Sequence, residues 1–345
     1  MASRYALLVS PSANRVYAAA APRLTVAELG VLGETALDDR LGDAIVEEIA
    51  GVEYVTFAGD LKEDDLAHLA NVSTAFALFE RVGDDTFRPV PLRRLDCLDD
   101  DLLTILKYQG KTQELFTKLL LNVTVLSSCS AGRMLTGRLR VLDPLCGRGT
   151  TLNQALMYGW HASGLDVDER DFDAYAAFLP RWLKDKRIKH TAQTSRLRRD
   201  GSTLGRRFDV RFATTKEAWA AGDVIRVSTA LVDTRRAAEA FKAASFDVVV
   251  TDAPYGVQHG SASGGRLQRR PLDLLTEALP GWVRLLKPGG AVGVAVNVRT
   301  CPRAEALAAL ADAGLEPRDT PAYGGFEHRV DQAIVRDLVV GVNAV

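Results

Sequence analysis

In Val141-Leu-Asp143-Pro-Leu-Cys-Gly147-Arg-Gly149-Thr150-Thr151 an apolar run ends in an acid, passes two glycines and enters a helical pattern over Leu152–Tyr158. Glycines at a strand-to-helix turn let a ligand approach the backbone closely. They also serve tight turns that hold no ligand, so the Gly-x-Gly spacing alone leaves both readings open. Two neighbours weigh on the choice. Asp166 closes the next apolar run, Ala162–Leu165, at a separation suited to an acid that hydrogen-bonds ribose hydroxyls, although a solvated strand-end aspartate would look the same. The turn also lacks the third glycine of the dinucleotide fingerprint and has Asp143 before it, where a carboxylate can face an amino group. That disfavours NAD and favours a nucleotide-like ligand with a cationic amino-acid end.

A second constellation is Phe246-Asp-Val-Val-Val-Thr-Asp252-Ala-Pro-Tyr255-Gly256, a buried-type strand followed by an acid, a proline-fixed turn and an aromatic. A flat base could stack on Tyr255 while Asp252 and the Ala253 carbonyl accept hydrogen bonds from an exocyclic amine, with Pro254 fixing the turn. An aryl amine is a poor nucleophile because its lone pair is delocalised into the ring. Acceptors that hold its hydrogens out of plane, and stabilise the charge developing on nitrogen, favour methyl transfer. The alternative is an ordinary strand-to-loop turn with Tyr255 packed on the core. His259 and His328 stand alone and read as structural or solvent-facing, so no metal role is assigned.

The basic segment Arg181–Arg211 sets eleven Lys and Arg against Asp185, Asp200 and Asp209, the footprint expected of phosphate contacts. Within it Arg196, Arg198 and Arg199 form a dense cluster without an interleaved aromatic, which suits an RNA backbone better than its bases. A solvated, arginine-rich insertion is the other reading. Arg266, Arg269 and Arg270 follow the Gly260–Gly265 loop, which reads as a substrate lid or a loop without a role.

Strands and helices must position these residues. From Tyr5 to about Leu92 the pattern is strand, helix, strand, helix, strand, with Ala6–Val9, Val52–Phe57 and Ala75–Phe79 as the strands of a small α+β domain. Arg93–Asp101, rich in aspartate, marks a boundary, giving an N-terminal RNA-binding or docking domain over 1–95 and a second domain over 96–345. Beyond it lie a helical pattern over Leu115–Val125 and then Leu139–Leu142, Ala162–Leu165, Val224–Val227, Phe246–Val250 and Gly290–Val298, alternating with helices. Such alternation predicts a doubly wound parallel sheet. Ala333–Val342, with no helix after it, predicts an added strand.

A chain of 345 residues, 47% hydrophobic and 25% charged with a net charge of -1, excludes a stapled miniprotein, a disordered chain and a uniformly polycationic binder. Cys97, Cys129, Cys146 and Cys301 are far apart, without zinc or disulfide spacing, and no apolar run approaches a membrane span. A cytoplasmic protein is the expectation.

Taken together, the two constellations resemble the class I S-adenosyl-L-methionine-dependent methyltransferases, in the exocyclic-amine branch whose signature is Asp/Asn-Pro-Pro-Tyr/Phe. Leu106-Lys-Tyr-Gln-Gly-Lys-Thr112, Asp143-Pro-Leu-Cys-Gly-Arg-Gly-Thr150 and Thr251-Asp-Ala-Pro-Tyr-Gly256 are similar to motifs of the Trm-eleven-type RNA guanine-N2 methyltransferases, over about residues 103–345. The resemblance implies a Rossmann-like α/β domain with a seven-stranded sheet, its last strand antiparallel, and S-adenosyl-L-methionine as cofactor. It implies that Asp143, Gly147 and Gly149 cradle the methionine end, Asp166 binds the ribose and Asp233 meets the adenine. Asp252, Pro254 and Tyr255 would form the amine pocket, and the segment of Lys107, Lys111 and Thr112 would lie against the cofactor. Ala253 stands where the signature has its first proline and keeps the carbonyl, in a freer loop. The tRNA-acting relatives carry a THUMP module, for which the roughly ninety residues before the boundary leave little room. The implied reaction is methyl transfer to guanine N2 in structured RNA, tRNA or rRNA, with no membrane and no protein partner indicated. An amine on DNA, protein or a small molecule, or a non-catalytic RNA-binding subunit, are the alternatives.

Overall fold

The structure is a computed structural model that describes residues 2–83, 86–108, 110–255 and 271–344. His259, the Gly260–Gly265 loop, Arg266, Arg269 and Arg270 lie outside the described residues.

The N-terminal unit is built from β1 (Ser3–Val9), α1 (Arg15–Thr35), β2 (Ile45–Ile49), β3 (Val52–Gly59), α2 (Glu63–Leu69), β4 (Ala75–Arg81) and β5 (Phe87–Val90). Its antiparallel sheet has the order β2-β3-β1-β4-β5, two strands more than the sequence pattern predicts. β2 was hidden by Glu47 and Glu48. It is closed onto β3 by Ala50 and Gly51, both at positive φ, the backbone of a tight hairpin turn. Asn14 caps α1 by accepting from the Val16 and Tyr17 N–H groups at 3.0 and 3.1 Å. This helix is buried on several sides, as suits one lying between its own sheet and a second helical layer.

That layer begins with α3 (Asp101–Thr104) and α4 (Glu114–Leu126), followed by β6 (Arg140–Asp143), α5 (Thr150–Met157), β7 (His161–Asp166) and α6 (Glu169–Asp185). A hairpin of β8 (Lys189–Arg199) and β9 (Ser202–Ala213) comes next, then α7 (Lys216–Ala220), β10 (Ile225–Leu231), α8 (Ala237–Ala240) and β11 (Phe246–Asp252). The chain continues through α9 (Pro271–Leu285), β12 (Leu286–Asn297), α10 (Arg303–Asp312), β13 (Leu315–Arg318), β14 (His328–Arg329) and β15 (Val335–Asn343). The strand order is β13-β15-β12-β11-β6-β7-β10-β9-β8, with β14 paired to β15. β10, β7, β6, β11 and β12 are parallel, while β15 runs antiparallel between β12 and β13. This is a doubly wound, Rossmann-like α/β sheet. It is larger than the seven strands expected, because β14 pairs at one end and the basic segment, expected as an insertion, folds into the β8–β9 hairpin. Asp200 and Gly201, at φ 48° and 81°, turn that hairpin and let its strands extend the sheet beyond β10.

Side chains alternate between two cores. One face, with Val141, Ala162, Val227 and Val248, packs under α4, α5 and α6 and is continuous with the N-terminal unit through Leu24, Leu29 and Leu32 of α1. The opposite face, with Leu142, Leu165, Ala230 and Val249, packs under α8, α9 and α10. Among the described residues no helix is long and apolar enough to cross a membrane.

Candidate functional site

From β6 the chain moves outward through β7 to β10, then crosses back to β11 on the other side of β6 and continues to β12. In an open parallel sheet such a reversal leaves a crevice at the carboxyl ends of the two central strands, where ligands bind. Asp143 ends β6 and Asp252 ends β11, so the topology alone brings the two sequence constellations to one place. Between them opens a cleft of about 640 Å³, lined by residues that include Asp143, Gly147, Asp252, Ala253, Pro254 and Tyr255.

Asp143 is 3% exposed and makes no ion pair with a described residue. One oxygen accepts from Thr251 Oγ1 at 2.8 Å and from the Leu145 N–H at 3.1 Å. Burial pushes its carboxyl up to about 6, against the pull of these hydrogen bonds. A buried carboxylate without a counter-ion is held ready for a cationic ligand, which would restore the charged form.

The two glycines differ. Gly147 has φ +48°, lines the cleft, and would place a Cβ in open space. Gly149 has φ +84°, and a Cβ there would lie 2.4 Å from the Tyr175 ring, so its smallness serves the packing of α5 on α6. Asp166 lies beneath the turn, its carboxylate accepting from the Gly147 N–H at 2.8 Å and the Asp168 N–H at 2.7 Å, with burial raising its pKa. Asp233 follows β10, accepts from the Arg235 N–H at 3.0 Å and pairs with the Arg235 guanidinium. Gly149, Asp166 and Asp233 thus sit at the turn and the neighbouring strand ends, outside the residues that line the cleft.

On the other wall Asp252 is held from three sides. Thr112 Oγ1 donates to Oδ2 at 2.5 Å, the Tyr255 hydroxyl donates to Oδ1, and Arg336 lies 3.7 Å from Oδ2. Arg336 Nε donates in turn to the Tyr255 hydroxyl at 2.5 Å, while its guanidinium lies 4.3 Å from the Phe116 ring centre and 5.2 Å from that of Tyr255. Arg336 is 4% exposed. The sequence reading missed it, although a charged Arg336-Asp337 pair inside the apolar strand Val335–Asn343 is itself a signal, since buried charges demand partners. Tyr108 was missed too; its hydroxyl lies 3.0 Å from Thr150 Oγ1, and the Arg148 guanidinium lies over its ring. Lys111 and Thr112 line the cleft, with Lys111 Nζ bonded to Glu114 and the Leu103 carbonyl.

His328 is buried against Tyr17 and Phe116, its ring 2.9 Å from the Phe326 carbonyl, and burial pushes it down to about 4. Arg196, Arg198 and Arg199 are exposed near the β8–β9 tip. Leu231 pairs with Arg206 and Arg206 with Arg196, so the tip projects from the sheet edge that carries Asp166 and Asp233. No group of three or more His, Cys, Asp or Glu among the described residues could hold a metal ion, and the four cysteines are free thiols.

No protein-family model and no curated protein matches the chain. Among solved structures, TrmN from Thermus thermophilus is 16% identical with a TM-score of 0.39, over 87% of this chain and 59% of TrmN, so the chain spans about three fifths of TrmN's length. The TehB-like SAM-dependent methyltransferase from Corynebacterium glutamicum is 15% identical, with a TM-score of 0.34, over 62% of this chain and 84% of that one. Geranyl diphosphate methyltransferase, in complex with GPP and sinefungin, is 12% identical with a TM-score of 0.34, over 61% and 76% respectively. These likenesses are faint, and it is the strand order, with its single reversal between β6 and β11, that defines the fold.

Proposed function

We propose that the chain is an S-adenosylmethionine-dependent methyltransferase acting on an exocyclic amine, with guanine N2 in structured RNA as the acceptor. The observation that carries this reading is the buried Asp143, which makes no ion pair with a described residue, facing across one cleft the Asp252-Ala-Pro-Tyr255 turn on the adjacent strand. The donor set fits the cofactor: Asp143 offers a carboxylate to an ammonium group, and Gly147 leaves the space beside it open. When bound, the cofactor supplies an electrophilic methyl group on sulfonium.

The chain's own residues do the rest. Asp252 and the Ala253 carbonyl accept hydrogen bonds from the two amine hydrogens and stabilise the positive charge that grows on nitrogen, and Asp252 then receives the one proton that the methylated nitrogen sheds. A carboxylate has about four lone-pair sites, so the bonds from Thr112 and Tyr255 leave acceptor capacity for the amine. Arg336 and Thr112 fix the rotamer of Asp252, and Tyr255 offers its ring to the base plane. Arg196, Arg198 and Arg199, on the edge of Asp166, take backbone phosphates of the RNA, and residues 1–95 form the docking unit beside the 96–345 catalytic domain.

Calorimetry with S-adenosylmethionine, then radiolabelled methyl transfer to fractionated RNA and identification of the modified nucleoside, tests the reading. Binding together with N2-methylguanosine is the expected result. Absence of cofactor binding removes the proposal, and a different methylated amine removes the guanine assignment alone.

A further inference from the structure

The face of the sheet that packs under α8 and α9 is only half covered. α8 has four residues, about 6 Å at 1.5 Å per residue, whereas the seven residues of β10 span about 23 Å. The covered half carries Leu142, Leu165 and Ala230. Two to four residues earlier on the same strands, the same face carries Arg140, His161, Ser163, Arg226 and Ser228, which line a groove of about 870 Å³. This groove shares no lining residue with the methyl-transfer cleft and lies at the opposite ends of the strands.

Its charge is arranged in a row. Arg211 of β9 is the direct cross-strand partner of Arg226 of β10, and Arg140 of β6 is the partner of His161 of β7. Because Val227 pairs with Ala162, Arg226 and His161 are neighbours too, and the row Arg211, Arg226, His161, Arg140 crosses four adjacent strands. At about 4.8 Å per strand it is about 14 Å long. Like charges directly opposite one another in a sheet are destabilising, yet Arg140, Arg211 and Arg226 are exposed and none makes an ion pair with a described residue. Asp209 is the one acid lining the groove, while Arg138 pairs with Asp223, and Lys287 with Asp247 at 2.8 Å. Burial together with Arg138, Arg140 and Arg226 pushes His161 down to about 4.

We propose that this row is a phosphate track, distinct from the methyl-transfer cleft, that takes the sugar–phosphate backbone of an RNA. The choice of RNA as the polyanion rests on the function proposed above. Three guanidinium groups without an ion pair to a described residue, that of Arg140 lying 5.7 Å from the Phe246 ring centre, spread over about 14 Å, exceed what one phosphate can occupy and match a chain of them. Among the described residues no Phe, Tyr or Trp lines the groove, so bases find no large stacking platform and the contact is independent of sequence. A substrate gripped both here and at the β8–β9 tip would be held along the full height of the sheet edge while one nucleotide enters the cleft.

The test is fluorescence anisotropy of a labelled oligouridylate with the full-length protein over a range of salt. Arg140→Gln/Arg211→Gln/Arg226→Gln should bind at least tenfold more weakly at low salt and flatten the log-affinity against log-salt slope by about 2, from roughly 0.7 per single-strand phosphate contact. The corresponding triple Lys variant, which keeps the charges, should keep the slope. Should the triple Gln protein fail to fold, Arg226→Gln alone should flatten the slope by about 0.7. An unchanged slope overturns the proposal, as does absence of oligouridylate binding by the wild type. Inorganic tripolyphosphate binding that the Gln variant loses, with oligouridylate affinity unchanged, also overturns it, in favour of a small-anion site. Cofactor binding and methyl transfer are read on the same samples. If they are absent while RNA binding depends on the groove, only the methyltransferase reading falls; if they are intact with an unchanged slope, only the track falls.

Discussion

Asp143 links the proposed cofactor chemistry to a measurable proton. Its carboxyl, raised by burial to about 6 from an ordinary value of about 3.9, binds a proton more tightly in the folded chain than in the unfolded one. Its contribution to the stability of the ligand-free protein is therefore full below about pH 4 and lost as pH rises through about 6. A cationic ligand needs the ionised form. Affinity for S-adenosylmethionine should thus fall about tenfold per pH unit below 6, and calorimetry near pH 6 in buffers of different ionisation enthalpy should register proton release on binding. Asp143→Asn should weaken binding by about a hundredfold or more, since one partner of a buried charge pair is removed, while the melting temperature of the ligand-free protein above pH 6 stays level or rises. Asp252→Ala should behave differently, leaving cofactor affinity intact and lowering turnover by about a hundredfold. Arg336→Ala removes the guanidinium beside Asp252 and Tyr255; with both partners largely shielded, it should cost about 3 kcal/mol in denaturant unfolding.

The turn between β6 and α5 separates two uses of glycine that the sequence could not tell apart. Gly147→Ala meets no atom and should cost about 1 kcal/mol for a left-handed alanine, whereas Gly149→Ala drives a methyl into the Tyr175 ring and should cost more. Thermal denaturation of both variants, with the larger loss at Gly147, would reverse this assignment. The strands β6 and β11 were legible because each carries a short apolar run that ends in an acid, which is why the sequence places Asp143 and Asp252 at strand ends. The β8–β9 hairpin was not, although Asp200-Gly201 is a strong turn signal. Its second strand alternates Arg207, Asp209 and Arg211 with Phe208, Val210 and Phe212, because one face packs on α6 while the other meets solvent, and the charge obscured the period. Arg336 escaped for the opposite reason: with Asp337 it interrupts an apolar strand, but its partners, Asp252, Tyr255 and Phe116, are distant in sequence. Long-range partners of that kind have no local pattern.

The two sheets meet through α1 and α4, and a polar network crosses the contact. Glu28 of α1 accepts from the Ser73 N–H at 3.0 Å, from Ser73 Oγ at 2.5 Å and from Asn122 Nδ2 at 2.8 Å, and Asn122 accepts in turn from the Tyr158 hydroxyl at 2.9 Å. Glu28 and Asn122 are each 1% exposed, and the apolar core around them runs without a break from Leu7 of β1 to Val141 of β6. A network buried this completely is costly to leave half satisfied, so its members should break together with the core. All four tryptophans, Trp160, Trp182, Trp219 and Trp282, lie in the larger sheet's helices and connections, so their fluorescence reports that part of the molecule alone. Glu28→Ala takes from Ser73 its acceptor and leaves Asn122 Nδ2 only the Asn71 carbonyl at 2.8 Å, and should lower stability by about 2 to 4 kcal/mol; Glu28→Gln keeps a carbonyl oxygen in place and should lower it less. With one continuous core, urea unfolding of Glu28→Ala should shift the tryptophan transition and the far-ultraviolet circular dichroism transition to the same lower midpoint. A tryptophan midpoint unmoved by this change in α1, with circular dichroism splitting into two steps, would mean that the N-terminal unit unfolds independently of the sheet that carries the cleft.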